Sequence, residues 1–268
     1  MNHPSPSPIE TRRDNGWLTI WLNRPESRNA LSDDMSAALM QCFADLRADR
    51  TMRGVTIRGK GGTFCAGGDL KGFKAMAAGG QTVADVATMS RRAGDLFQAV
   101  HTLPQVVVVL IEGAAMAGGL GLACAADVVA GTRDAKFALT ETMIGIPPAQ
   151  IAPHVVRRVG PSAARRIMLT GARFEGEAAH GYGILDHLCD DAAGLDAFEE
   201  GIRRGVMRCA PGANAVTKEI LSAAEHMAPE ALMDFAARGF AECLVGEEGR
   251  EGVASFLEKR KPVWAQNA

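Results

Sequence analysis

The chain has 268 residues, of which 47% are apolar, enough to bury a large core in one main domain with a C-terminal extension. Its 29 basic and 31 acidic side chains leave a net charge of -2, which excludes an overall field favouring nucleic acid or an anionic membrane surface. Six cysteines (Cys42, Cys65, Cys124, Cys189, Cys209 and Cys243) lack any CxxC spacing, so neither a metal site nor a disulfide framework is expected, and a reducing cytoplasm is the simplest compartment.

The opening MNHPSPSPIETRRDNG is polar and proline-rich, without the apolar centre of a signal peptide. No uninterrupted run of about 18 apolar residues follows, so a soluble protein is expected. WLTIWLN (17–23) alternates and is rich in β-formers, and NRPE ends it, which predicts a strand followed by a turn. Ser32 then precedes DDMSAALMQCFADLRAD, where Met35, Leu39, Phe43 and Leu46 fall at helical spacing behind an acidic first turn. GVTIRG (54–59) reads as a strand, GKGGTFCAGGDLKGF as a glycine-dense loop, and residues 82–102 as an amphipathic helix. VVVVLIEG (106–113), ADVVAGT (126–132) and KFALTE (136–141) read as further buried strands, with LGLACAA as a short buried helix between the first two. Strands alternating with helices predict an α/β layered core, and from residue 161 onward the pattern is mostly helical.

Two glycine turns, CAGGD (65–69) and AGGLG (117–121), follow predicted strands and precede predicted helix starts. Such turns leave backbone N–H groups free to donate, and a pair reaching one point makes an oxyanion site. Singly, each is ordinary turn chemistry. Neither has the GxGxxG spacing of a dinucleotide site, and the lysine and hydroxyl of a phosphate-binding loop are missing.

FCAGGDLK (64–71), IEGAAMAGGLGLACAADVV (111–129) and FALTETMIGIPP (137–148) resemble the three signature blocks of the crotonase, or enoyl-CoA hydratase/isomerase, superfamily. The likeness extends to NRPESRNALS (23–32), LTGARFEGEAAHGYGILDHL (169–188) and EGVASFLEKRKPVW (251–264), and so spans nearly the whole chain. The resemblance implies an α/β fold with a ββα spiral core over residues 1–200 and a helical C-terminal trimerisation region over 201–268. It implies homotrimers or homohexamers, and an acyl-CoA thioester whose oxygen sits between the N–H groups of Gly68 and Gly118. Coenzyme A enters as part of the substrate, along Arg28, Ala30, Ala66 and Leu70, with Phe256 and Lys259 approaching from the same or a neighbouring subunit. No separate cofactor is implied.

Hydratases of this superfamily flank the substrate double bond with two glutamates. The second is present as Glu141, whereas the first maps onto Gly121, which carries no proton. One carboxylate can serve a concerted addition of water, or it can shuttle a proton between two carbons as in Δ3,Δ2-enoyl-CoA isomerases. IGIPPAQIAPHVVRRVGPSAARRIMLTG (144–171) replaces the usual glycine-rich IPGAGGTQRL and looks most like bacterial hydratases of branched glutaconyl-CoA thioesters, including 3-methylglutaconyl-CoA and isohexenylglutaconyl-CoA hydratases. Hydration is therefore the expected reaction, with isomerisation and a non-catalytic acyl-CoA-binding subunit as alternatives.

Without the resemblance, a lone Glu141 in a β-to-α connection reads as a solvated or capping residue, and Asp69 and Asp127 as anchors of loop and helix ends. Glu112 reads as structural. His154 reads as a packing residue of an amphipathic helix, Arg157 and Arg158 as a solvated face or partners for a distal carboxylate, and Met76, Met89, Met116 and Met143 as core or acyl-pocket lining. Phe73 and Lys74 are candidates to gate the site.

Overall fold

Trp17–Leu22 is apolar on both faces and nearly all buried, a pattern that belongs inside a sheet covered on both sides. It forms β2 of a computed structural model that describes residues 7–68, 72, 74 and 79–266. β1 (Ile9–Asp14) pairs antiparallel on its outer edge, and β3 (Gly54–Gly59), β4 (Val106–Ile111), β6 (Val128–Thr132) and β9 (His187–Cys189) continue the sheet in parallel. β1 has the polar sequence IETRRD and is absent from the sequence-based prediction, because its pairing comes from the exposed backbone of β2 rather than from its own side chains.

A second sheet, in the order β5 (Ala114–Met116), β7 (Lys136–Ala138) and β8 (Arg173–Glu175), carries the turns of the chain that leave the first. A strand of each sheet followed by a helix recurs as β4–β5–α3 (Gly118–Cys124) and β6–β7–α4 (Ala152–Thr170). The predicted strand over 136–141 ends early at Ala138, and Glu141–Ile144 turns as a short 3-10 helix closed by Gly145 in the left-handed region.

Ser32 caps α1 (Asp33–Ala48), which buries Met35, Leu39, Phe43 and Leu46. Thr82 and Asp85 form a capping box on α2 (Val83–His101), whose buried residues are Gly94, Leu96, Phe97 and Val100. Together with α3 and α4 these helices enclose the main core. The other face of the sheet is covered by α6 (Ala192–Met207) over Trp17, Val108, Leu110 and Ala130; α5 (Gly176–Gly181) precedes it. α4 joins two helical segments across Gly160 and Pro161.

The chain ends in α7 (Pro211–Ala223), α8 (Pro229–Val245) and α9 (Glu247–Leu257). Residue 200, the expected division, falls inside α6, and a buried arginine and a partly buried lysine tie the two parts. Arg53, 8% exposed just before β3, donates to the carbonyls of Val206, Cys209 and Trp264. Lys218 of α7 donates to the Asp127 carboxylate at 2.6 Å and to the Gln105 carbonyl at 3.0 Å. α8 buries none of its residues, and Met233, Phe240 and Val245 are more than three-fifths exposed. Among the described residues no helix is long and apolar enough to cross a membrane.

Candidate active site

The two predicted turns meet at the carboxyl ends of the parallel strands. Cys65 bridges to Ala115 and Leu31 to Gly68, and the Leu31 N–H donates to the Gly67 carbonyl at 2.8 Å. Gly67 has φ +93, and a Cβ there would lie 2.7 Å from Ala117 Cβ and 2.8 Å from the Met116 carbonyl oxygen. Only glycine lets the first turn lie on the second this closely. Gly118 faces the first turn at ordinary contact distance, a Cβ there lying 3.7 Å from the Gly68 nitrogen and closer only to Leu31 Cδ1, at 3.2 Å. Among the described residues neither the Gly68 nor the Gly118 N–H donates to an acceptor of the chain.

Ala117, which caps the second turn, has φ 47 and ψ -120, a conformation that costs an alanine about 1–3 kcal/mol. It is held from both sides: its N–H donates to the Ala138 carbonyl at 2.8 Å, and its carbonyl accepts from the Gly121 N–H at 3.0 Å. β7 thereby fixes the strained turn three residues before Glu141, so the carboxylate and the turn share one backbone frame.

Glu141 is half-buried, and its Oε2 is enclosed without a hydrogen-bond partner among the described residues. Burial lifts its pKa above the ordinary glutamate value. Its Oε2 is thus an acceptor left open on the same backbone frame as the second turn. The nearby Cys65 thiol is no competitor as nucleophile, since full burial pushes it up to about 12 and keeps it protonated at neutral pH.

Gly121 lies in α3 with no room for a side chain: a Cβ would stand 2.2 Å from Ile151 Cγ2 and 2.7 Å from Ile151 Cβ. Sequence reasoning found the missing carboxylate but not its replacement. The substituted segment held the signal, because an isoleucine stands where the superfamily pattern has small residues. Asn29 was also overlooked. It is fully buried and donates to the Lys60 and Thr63 carbonyls at 2.9 and 2.7 Å, pinning the loop that leads into the first turn.

Arg28 and Ala66 are joined by the Ala66 N–H donating to the Arg28 carbonyl at 2.9 Å, and Ala30 lies two residues on, so these three expected CoA-lining positions cluster by the first turn. Leu70, Asp69, Phe73 and Met76 lie outside the described residues, and Lys74 is exposed. Phe256, 82% exposed, and Lys259 stand on the surface at the end of α9. His154 is 5% exposed against Phe97 and His101, and burial beside Arg157 pulls it down to about 4. Arg157 pairs with Glu225, and Arg158 with Asp186, around a separate cavity of about 280 Å³ that contains none of the expected site residues. Asp127 accepts from the Val107 N–H at 2.7 Å, and Glu112 from Arg58 at 2.9 Å. Among the described residues no group of His, Cys, Asp and Glu side chains is placed to hold a metal ion.

Two interlocked glycine turns beside one buried carboxylate, on a mixed α/β spiral, define a crotonase-type fold. Residues 12–267 match the sequence profile of the enoyl-CoA hydratase/isomerase family. The solved structure of Pseudomonas aeruginosa AtuE superposes with a TM-score of 0.92 at 46% identity, covering 97% of this chain and 100% of that one. An enoyl-CoA hydratase/isomerase from Marinobacter aquaeolei gives 0.92 at 38%, covering 97% and 99%. Enoyl-CoA hydratase ACTT6 of Alternaria alternata is 30% identical over 260 residues, 96% of this chain and 84% of that protein. The chain belongs to the enoyl-CoA hydratase/isomerase family.

Proposed function

We propose that the protein adds water to a 2-enoyl-CoA thioester, with Glu141 as the single acid–base group and the Gly68 and Gly118 N–H groups receiving the thioester oxygen. The observation that carries this reading is the enclosed, unpartnered Oε2 of Glu141, set in one frame with the second turn. The carboxylate accepts a proton from water as the water oxygen bonds to C3. The electron pair of the double bond moves toward the carbonyl, and the resulting negative oxygen is held by the two donors. Glu141 then returns a proton to C2, so atoms and charge balance and no resident metal or redox group is needed. Arg28, Ala30, Ala66 and Leu70 line the CoA path, and Phe256 and Lys259 reach it from a neighbouring copy in a homotrimer or a homohexamer built as a pair of trimers. The exposed apolar residues of α8 support that association.

The branched glutaconyl-type acyl group is the substrate we assign, on the resemblance of residues 144–171, and the cytoplasm is the compartment. The test is turnover of 3-methylglutaconyl-CoA, isohexenylglutaconyl-CoA, crotonyl-CoA and a 3-enoyl-CoA in H2(18)O, read by mass spectrometry. Label in a 3-hydroxyacyl product supports hydration. Unlabelled conversion of the 3-enoyl to the 2-enoyl thioester makes the enzyme an isomerase, and silence on all four favours a binding role.

A further inference from the structure

Ile151 is seated as firmly as any core residue. It is 5% exposed at the start of α4, and its side chain rests on Gly121 and toward Phe97, whose Cε1 would be 3.4 Å from a Cβ on residue 121. The residue before it is anchored separately. Gln150 Nε2 donates to Ser90 Oγ at 3.2 Å, and its Oε1 fits against Gly94, where a Cβ would be 2.3 Å away. Ser90, Gly94 and Phe97 share one stripe of α2 at helical spacing, so that stripe clamps the 150–151 pair over α3. Pro147 and Pro148 restrict the backbone leading in.

The same stripe continues outward to Val86, 40% exposed, beside Met89 at 37%. Met143, Ile144 and Ile146 are exposed on the segment between Glu141 and Ile151. Apart from the Ser90–Gln150 pair, the residues named from Gly121 and Ile151 outward are apolar, and Gly94 and Gly121 are both small where a large neighbour enters.

We infer that Gly121 and Ile151 are a complementary size pair, and that Ile151 is the specificity-determining residue of the acyl pocket. By filling the volume that a side chain at position 121 would need, it puts hydrocarbon where a second acid–base group would stand. The substrate class it selects is a 2-enoyl thioester carrying an apolar branch or extension at C3, in preference to the unbranched four-carbon chain. Each methylene buried there raises kcat/KM by about fourfold. This inference rests on the acyl-thioester reading of the site.

A double-mutant cycle tests it, with a readout that does not need turnover. Gly121→Glu alone meets Ile151 and should lower Tm sharply, Ile151→Gly alone should lower it through a cavity, and Gly121→Glu/Ile151→Gly should be more stable than the sum of the two losses. Additive losses would overturn the size pair. The activity arm compares 3-methylglutaconyl-CoA or a six-carbon 2-enoyl-CoA with crotonyl-CoA. Ile151→Gly should cut the kcat/KM ratio in favour of the larger chain at least tenfold. A ratio unchanged within twofold would overturn the specificity role. If the wild type converts none of these thioesters, the hydratase reading fails, and the coupling in Tm still decides the size pair.

Discussion

Gly67→Ala probes the contact on which the site depends. At φ +93 an alanine is strained by about 1–2 kcal/mol relative to glycine. Its Cβ would also fall 2.7 Å from Ala117 Cβ and 2.8 Å from the Met116 carbonyl, both attached to rigid backbone, and relieving such overpacking costs about 1–3 kcal/mol. Restricting the unfolded chain returns about 0.4–1 kcal/mol. The net loss is about 3 kcal/mol, a large share of a stability of about 5–15 kcal/mol. Urea unfolding at fixed protein concentration measures it. Gly62→Ala is the control, since Gly62 has φ +72 but nothing within 4 Å, and it should lose only the backbone part with turnover unchanged. Pushing the turns apart should also cost Gly67→Ala about 10²–10³ in kcat, the effect of losing one oxyanion donor. Equal stability losses for the two variants would refute the steric argument.

Glu141→Gln should reduce turnover by about 10²–10⁴ while butyryl-CoA binding holds, and activity within tenfold of wild type would remove Glu141 from the chemistry. Because burial raises the Glu141 pKa, the folded state keeps a proton that the unfolded state releases, so the wild type loses stability as pH rises through that window. The Tm of Glu141→Gln minus that of the wild type should therefore grow from acidic to neutral pH, and a flat difference would contradict the shift. Asp127→Ala strands the Lys218 ammonium, whose side chain is 15% exposed, and the Val107 N–H. It should cost about 1–3 kcal/mol in urea unfolding, more than Lys218→Met, and the reverse order would show that the pair is not what anchors α7. Phe240→Asp should shift the native mass toward the monomer in light scattering if the exposed face of α8 joins copies, and an unchanged mass would place the interface elsewhere.

The elements legible in the sequence are those whose own side chains decide them. β2, β3, β4, α1 and α2 lie within a residue or two of the predicted bounds, because strand alternation, helical spacing and the caps at Ser32 and Thr82 are local. β5, β8 and β9 depend on partners supplied by distant strands and are only three residues long, whereas β1 pairs with its neighbour β2 but has a polar sequence without a strand pattern. At the candidate site, the two turns are legible as a pair, and Glu141 stands out only through the family resemblance of the blocks around it. Ile151 could not be found that way, since an isoleucine between a glutamine and an alanine reads as core until Gly121 is seen beneath it. Arg157 and Arg158 look like a solvated face until Glu225 and Asp186 appear beside them.

The guanidinium of Arg53 has a consequence for biosynthesis. Its acceptors at Val206, Cys209 and Trp264 are made late, Trp264 being 211 residues further along the chain. At ordinary translation speeds that interval is about 10–40 s. During it, the strand that leads to the first glycine turn begins with a guanidinium whose carbonyl acceptors are not yet made, and burying it then would be costly. A chain that stops short of these residues leaves that cation at the start of β3 dependent on water.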